Sequence, residues 1–168
     1  MTDDNDKGAS RRRTLELAAG VAIAVVAGGT AQAATPNVVG VWKLAGGSTT
    51  DPSGKQVAVP YGPRGMGLVS LTADGRMMAV LVDGRSNLPD GTKREYSSYC
   101  GNYTFDGKTL ITTVDASSDA GRLTVGGQQV RQVRFDGDRM ILVPPERDEG
   151  GVKLRRELIW EKISPASL

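Results

Sequence analysis

The sequence predicts an all-β protein, an eight-stranded antiparallel up-and-down barrel within residues 34–168. Three observations carry that prediction. Asp-Gly dipeptides recur at Asp74-Gly75, Asp106-Gly107 and Asp136-Gly137, each between stretches of alternating apolar residues. The chain is rich in Gly and β-formers and poor in segments of helical period. Residues 1–33 read as a leader to be set aside before any fold is considered, which leaves a length normal for one domain with a single core.

The leader comes first along the chain. A polar opening ends in Arg11-Arg12-Arg13, an uncharged apolar stretch runs from Leu17 to Ala27, and Ala31-Gln32-Ala33 has the small-x-small pattern that signal peptidase accepts. Cleavage is expected before Ala34. The apolar stretch is shorter than the roughly 20 residues that cross a bilayer, so no membrane span is expected after cleavage. The segment Ser10-Arg11-Arg12-Arg13-Thr14-Leu15-Glu16 resembles the twin-arginine signal family, whose pattern is Ser/Thr-Arg-Arg-x-Phe-Leu-Lys. It departs at Thr14 and Glu16. The resemblance implies signal peptidase and the twin-arginine export machinery as partners and a periplasmic or secreted destination. The same arginines also suit the basic start of an ordinary secretory signal.

The strands follow. Asp-Gly marks a hairpin because its turn needs positive φ, which Gly adopts freely. The three turns therefore join 66–72 to 76–83, 98–105 to 108–116, and 127–135 to 138–144. Strands at 38–46 and 152–163 complete the eight. Closure into a barrel removes exposed edges; a β-sandwich is the alternative. Asp83 to Lys93, Ser117 to Gly121 and Pro144 to Gly151 are read as polar connections, with Asp83-Gly84 and Asp90-Gly91 as loop turns. Thr49 to Arg64, rich in Gly and Pro, is read as a loop that covers one mouth.

Composition narrows the chemistry. A formal net charge of +2, mixed in sign along the chain, argues against a nucleic-acid partner. Cys100 is the only cysteine, so no internal disulfide forms, and it reads as a small core residue. With no histidine in the chain, neither a Ser-His-Asp triad nor a His-based zinc site is possible. No metal and no cofactor are expected.

With the strands placed, Val39-Gly40-Val41-Trp42-Lys43-Leu44 resembles the Gly-x-Trp opening of lipocalins. Tyr61-Gly62-Pro63, Thr72-Ala73-Asp74-Gly75-Arg76-Met77, Gly101-Asn102-Tyr103, Gln129-Val130-Arg131, Phe135-Asp136-Gly137-Asp138-Arg139-Met140 and Leu158-Ile159-Trp160-Glu161-Lys162 follow in order. Together they resemble the bacterial and fungal lipocalin-like domain family over about residues 38–163. The strand 108–116 departs, lacking a histidine that such relatives often carry. The resemblance implies a barrel with a ligand cavity, and for most members no established activity.

Strand parity then nominates residues. Gly40, Trp42 and Leu44 share one face, as do Leu154, Arg156, Leu158 and Trp160. Lipocalins commonly lay a last-strand arginine across the opening tryptophan, so Gly40, Trp42 and Arg156 are the expected barrel closure, with a cation–π contact. Arg131 and Gln129 share parity with Val133 and Phe135, which face inward. An arginine there is costly unless it meets a carboxylate, internal or from a ligand, or unless a bulge breaks the parity. Tyr99 and Tyr103 share a face with Gly101 and Phe105. Arg131, Gln129, Tyr99 and Tyr103 are thus the expected ligand-binding residues. Of Met77 and Met78, one lines the interior.

Three functions are compatible with these residues. The first is a barrel binding a small, largely apolar or amphipathic ligand. The second is an isomerase or cyclase using Tyr99, Tyr103, Asp115 or Glu157 as acid or base, with Arg131 stabilising an oxyanion. The third is a solid barrel that binds a protein through loops 48–64 or 84–95.

Overall fold

The structure, a computed structural model, describes residues 37–119 and 126–163; the signal-peptide reading falls outside them. The described chain is all β. Its strands are β1 (Gly40–Thr50), β2 (Gln56–Ala58), β3 (Gly65–Leu71), β4 (Arg76–Asp83), β5 (Tyr96–Phe105), β6 (Thr109–Ser117), β7 (Gln128–Asp136), β8 (Arg139–Val143), β9 (Arg147–Glu149) and β10 (Val152–Lys162). Every pairing is antiparallel, and the order β1-β3-β4-β5-β6-β7-β8-β10 closes because β10 pairs back onto β1. Eight strands thus form the barrel, as expected. β2 and β9 are additions, three residues each, in segments read as loop and connection. β2 hangs on the far end of β1, and β9 folds back on the start of β10 through Gly150-Gly151.

Up-and-down alternation sorts the connections by end. The three Asp-Gly turns all fall at one end, where Gly75, Gly107 and Gly137 take the positive φ the turn requires (82°, 97° and 59°). At two of these turns the aspartate also holds the loop. Asp106 accepts the backbone N–H groups of Lys108 and Thr109 (2.8 and 2.6 Å), and these bonds hold its carboxyl below the usual range. Asp74 accepts the Thr72 hydroxyl. The longer connections, 51–64, 84–95 and 144–151 among them, all fall at the opposite end.

Alternation along the strands puts one face of each inside. Trp42, Leu44, Val69, Leu71, Met77, Ala79, Leu81, Leu110, Met140, Leu142, Leu158 and Trp160 form the core. Met77 is inward and Met78 outward. Between neighbouring barrel strands, two irregularities adjust the pattern. β1 shifts register between Leu44 and Gly46 where it bends along β10. Between β5 and β6, Cys100 faces Ala116 but Gly101 faces Val114, so Asp115 is the extra residue on β6. The strands approach closely here: a Cβ on Gly101 would lie 1.9 Å from the Thr113 carbonyl oxygen. Because the extra residue is on β6, β5 keeps its parity and Cys100 faces outward. It is half-buried beside Met78 rather than in the core as expected.

Candidate functional site

The end with tight turns is filled. Trp42 is buried, and its indole N–H donates to the Val38 carbonyl (2.8 Å). Phe135 packs against it at 6.2 Å between ring centroids, tilted by 55°. Tyr103 belongs to this end: its hydroxyl donates to the Thr72 carbonyl (2.8 Å). Burial, with Asp74 nearby, keeps that phenol above the usual tyrosine range. The structure thus places Tyr103, expected as a ligand-binding residue, at this end. It has the right parity but stands four residues beyond Tyr99, about 13 Å further down the strand, and does not line the cavity that Tyr99 lines.

The cation over Trp42 is Lys162, not Arg156. Its Nζ lies 5.2 Å from the ring centroid. Register explains the exchange: β1 and β10 pair Trp42 with Lys162 and Thr49 with Arg156, so Arg156 lies at the other end of the barrel. Lys162 shares parity with Trp160, one step beyond the expected set. Gly40 has its part here. Its φ is 140°, and a Cβ would sit 2.7 Å from the Lys162 side chain that crosses it.

At the opposite end the barrel holds a cavity of about 380 Å³, within the range of small-molecule sites. Its floor is apolar, made by Val69, Ala79, Leu81, Leu142, Leu158 and Trp160. The Trp160 indole N–H is buried and has no acceptor among the described residues. Above the floor stand Tyr61, Ser97, Tyr99, Gln129, Arg131 and Arg156, and the lip carries Pro144, Pro145, Glu146 and Arg147. Arg131, Gln129 and Tyr99 thus lie together, from β7 and β5, and Arg156 joins them.

The electrostatics of this ring are uneven. Arg131 is half-buried; its guanidinium donates to the Val130 carbonyl (2.7 Å) and to Gln129 Oε1 (3.2 Å). Among the described residues no carboxylate lies within 4 Å of it, which answers the expectation of an internal acid. Arg156 pairs loosely with Glu95 (3.5 Å). Arg147 pairs with Glu149 (3.1 Å) in solvent.

Tyr61 and Glu95 went unassigned in the sequence because both sit in irregular segments where parity says nothing. The 49–64 segment does reach the mouth, as expected. Tyr61 has φ of 61°, unusual for an aromatic residue and a source of strain of order 1–3 kcal/mol. Its backbone N–H donates to Glu95 Oε2 (2.7 Å), which holds it there. Burial pushes the Tyr61 phenol above the usual range, although its hydrogen bond with Ser97 and the charge of Arg156 pull it partly back. It therefore stays a donor at neutral pH. The neighbouring loop is latched by Asp83, whose carboxylate binds Arg85 through Nε (3.0 Å) and Nη2 (2.5 Å) and is held below the usual range by that contact. Arg94 donates to the carbonyls of Asp83 and Arg85.

Chemically, the cavity offers an apolar floor under a ring of donors. Of the acid–base candidates only Tyr99 lines it. Asp115 is outside, paired with Arg76 (2.6 Å), and Glu157 is outside between Arg134 and Arg155 (2.6 and 2.9 Å). Among the described residues no cluster of three metal-ligating side chains occurs, and no helix is long and apolar enough to cross a membrane.

A search among curated proteins finds no match. The sequence pattern of the lipocalin-like domain family, by contrast, matches residues 39–163, from the strand that carries Trp42 to the end of the strand that closes the barrel. The chain belongs to the lipocalin-like domain family.

Proposed function

We propose that this protein is an exported binding protein whose open-end cavity takes one small, largely apolar ligand bearing an acidic group, with Arg131 at the acidic end. The observation that carries this reading is the half-buried Arg131 guanidinium above an apolar floor, without a carboxylate partner among the described residues. A cation removed from water is costly until an anion meets it, and a planar guanidinium suits a carboxylate. Gln129 and Tyr99 flank the same position, and Arg156 stands across the ring. The apolar body of the ligand gains about 0.8 kcal/mol per methylene that it buries on the floor. The unfilled cavity favours this reading over a solid protein-binding barrel, and the positions of Asp115, Glu157 and Tyr103 take support from the isomerase reading.

Export to the periplasm or beyond rests on Arg11-Arg12-Arg13, the uncharged apolar stretch and Ala31-Gln32-Ala33. A barrel joined by local hairpins and free of disulfides suits a route that carries folded protein, since such contacts form quickly for a β fold. Replacing Arg11 and Arg12 by Lys should strand the precursor in the cytoplasm; normal export would point to the general secretory route. The binding reading is tested by native mass spectrometry of protein purified from its own cell envelope. A co-purifying acidic small molecule, lost in Arg131→Gln, is expected. A clean apo mass from both proteins would count against it.

A further inference from the structure

The outer wall of the barrel treats its apolar residues in two ways. On β7, β8 and β10, Ile141 faces outward yet is only 4% exposed. Register places Ile141 between Arg134 on β7 and Ile159 on β10. The ion pair from Arg134 to Glu157 (2.6 Å) joins the two strands on either side of β8, so it spans the strand that carries Ile141. Arg139–Glu161 (2.8 Å) and Arg155–Glu157 (2.9 Å) extend the cover. Arginine stems shield apolar surface while their heads stay in water. This face protects itself.

Among the described residues the opposite wall has no such cover. Met66 and Leu68 on β3, Met78 and Val80 on β4, and Tyr96 on β5 face outward, with Met66 58%, Met78 57% and Tyr96 52% exposed. They are contiguous: Leu68 sits opposite Val80, Met66 and Tyr96 flank Val82, and Met78 lies between Ser70 and Cys100. The positions between them are Ser70, Val82, Ser98 and Cys100, none of them charged at neutral pH. Among the described residues, charge appears around this centre as Lys43 on β1, as the exposed Arg64 and Arg94 beside Met66 and Tyr96, and as the Arg76–Asp115 pair, which is already neutralised.

We propose that this face is the interface of a homodimer. Its five large side chains together expose on the order of 500 Å², within the range for the largest patch on a monomer. With its polar margin it approaches the roughly 800 Å² per partner of a stable interface. A second copy is the occupant that fits the uncharged centre. In a two-fold contact each patch meets itself, and an uncharged centre does so without opposing like charges, whereas a different partner is commonly matched through complementary charge. Met and Tyr, which make up much of the patch, are enriched at such interfaces, and Lys and Glu, absent from its centre, are depleted there. The patch lies on the side wall, so both cavities stay open, and dimerisation stands or falls independently of ligand binding.

Sedimentation equilibrium of the purified protein at about 50 μM tests this, with Leu68→Lys and Met78→Lys as separate variants and circular dichroism as the check on folding. The wild type should sediment as two chains and each variant as one, its dimer weakened about 100-fold or more. Arg134→Gln, on the covered face, should leave the dimer intact. Cys100 gives a second readout: its alkylation by iodoacetamide should slow several-fold as wild-type concentration rises from about 0.5 to 50 μM, and should be concentration-independent in Leu68→Lys. A wild type that stays monomeric overturns the proposal, as does a dimer that survives both lysine variants. A monomer that floats with phosphatidylcholine vesicles overturns it too, and assigns the face to a lipid surface.

Discussion

At the end of the barrel where the Asp-Gly turns lie, Trp42, Phe135 and Tyr103 fill the space between strands, every indole and phenol proton there has an acceptor, and Lys162 lies over the outermost ring. At the other end the strands are joined by longer connections, a cavity of about 380 Å³ remains, and the Arg131 guanidinium in it donates to neutral groups, the Val130 carbonyl and Gln129 Oε1. The same fold thus spends one end on stability and leaves the other for recognition. The difference begins with loop length. Turns of two or three residues bring strand ends together so closely that aromatic side chains can bridge them, while longer connections hold the mouth apart and present Tyr61 and Glu95 around it.

If that division is right, substitutions at the two ends should separate stability from binding. The largest effect is expected for Trp42→Ala, which removes a buried indole and should cost about 4 kcal/mol of unfolding free energy in urea titrations; a loss under about 1 kcal/mol would show that this end is not a packed plug. Arg131→Gln should lower decanoate affinity about tenfold or more, roughly 1.4 kcal/mol, while its urea midpoint stays within error of wild type. A concurrent loss of stability would mean that Arg131 is structural. Tyr103→Phe should cost about 1 kcal/mol, the worth of one hydrogen bond, and leave decanoate binding unchanged; weaker binding would return Tyr103 to the ligand site. Lys162→Met should cost at most about 0.5–1 kcal/mol, that of an exposed cation–π contact.

A final effect emerges only in acid. Arg85 depresses the Asp83 carboxyl, so the stability that Asp83 lends the open-end loop is complete above the usual carboxylate pKa and is lost as pH falls through its lowered value. Hydrogen exchange at the Arg85 amide, which donates to Asp83 Oδ1 (3.0 Å), should speed up through that window. In Asp83→Asn the same amide should show no such acid dependence.

The eight barrel strands were legible because Asp-Gly turns and period-two alternation are local signals, and the three hairpins they mark appear with ends shifted by only a few residues. β2 and β9 were not legible: three exposed residues carry no alternation. Gln129, Arg131 and Tyr99 came from parity, which a strand enforces over its length. Parity gives the face of a residue and not its height in the barrel, and there the sequence misled. Tyr103 and Arg156 each have the right face at the wrong end, because height depends on register between strands distant in the chain. Cys100 went wrong for another reason. Its residue type suggested the core, while its neighbours Tyr99 and Gly101 already required it to face out.

The central claim is that the open-end cavity holds an acid through Arg131, and the most direct test compares decanoate with decanol, which share a chain length and differ at the head. Titration calorimetry should show decanoate binding at least about tenfold more tightly to the wild type, with the difference collapsing in Arg131→Gln while decanol affinity hardly changes. Equal binding of the two by the wild type, or a preference for decanoate that persists in Arg131→Gln, would contradict the account.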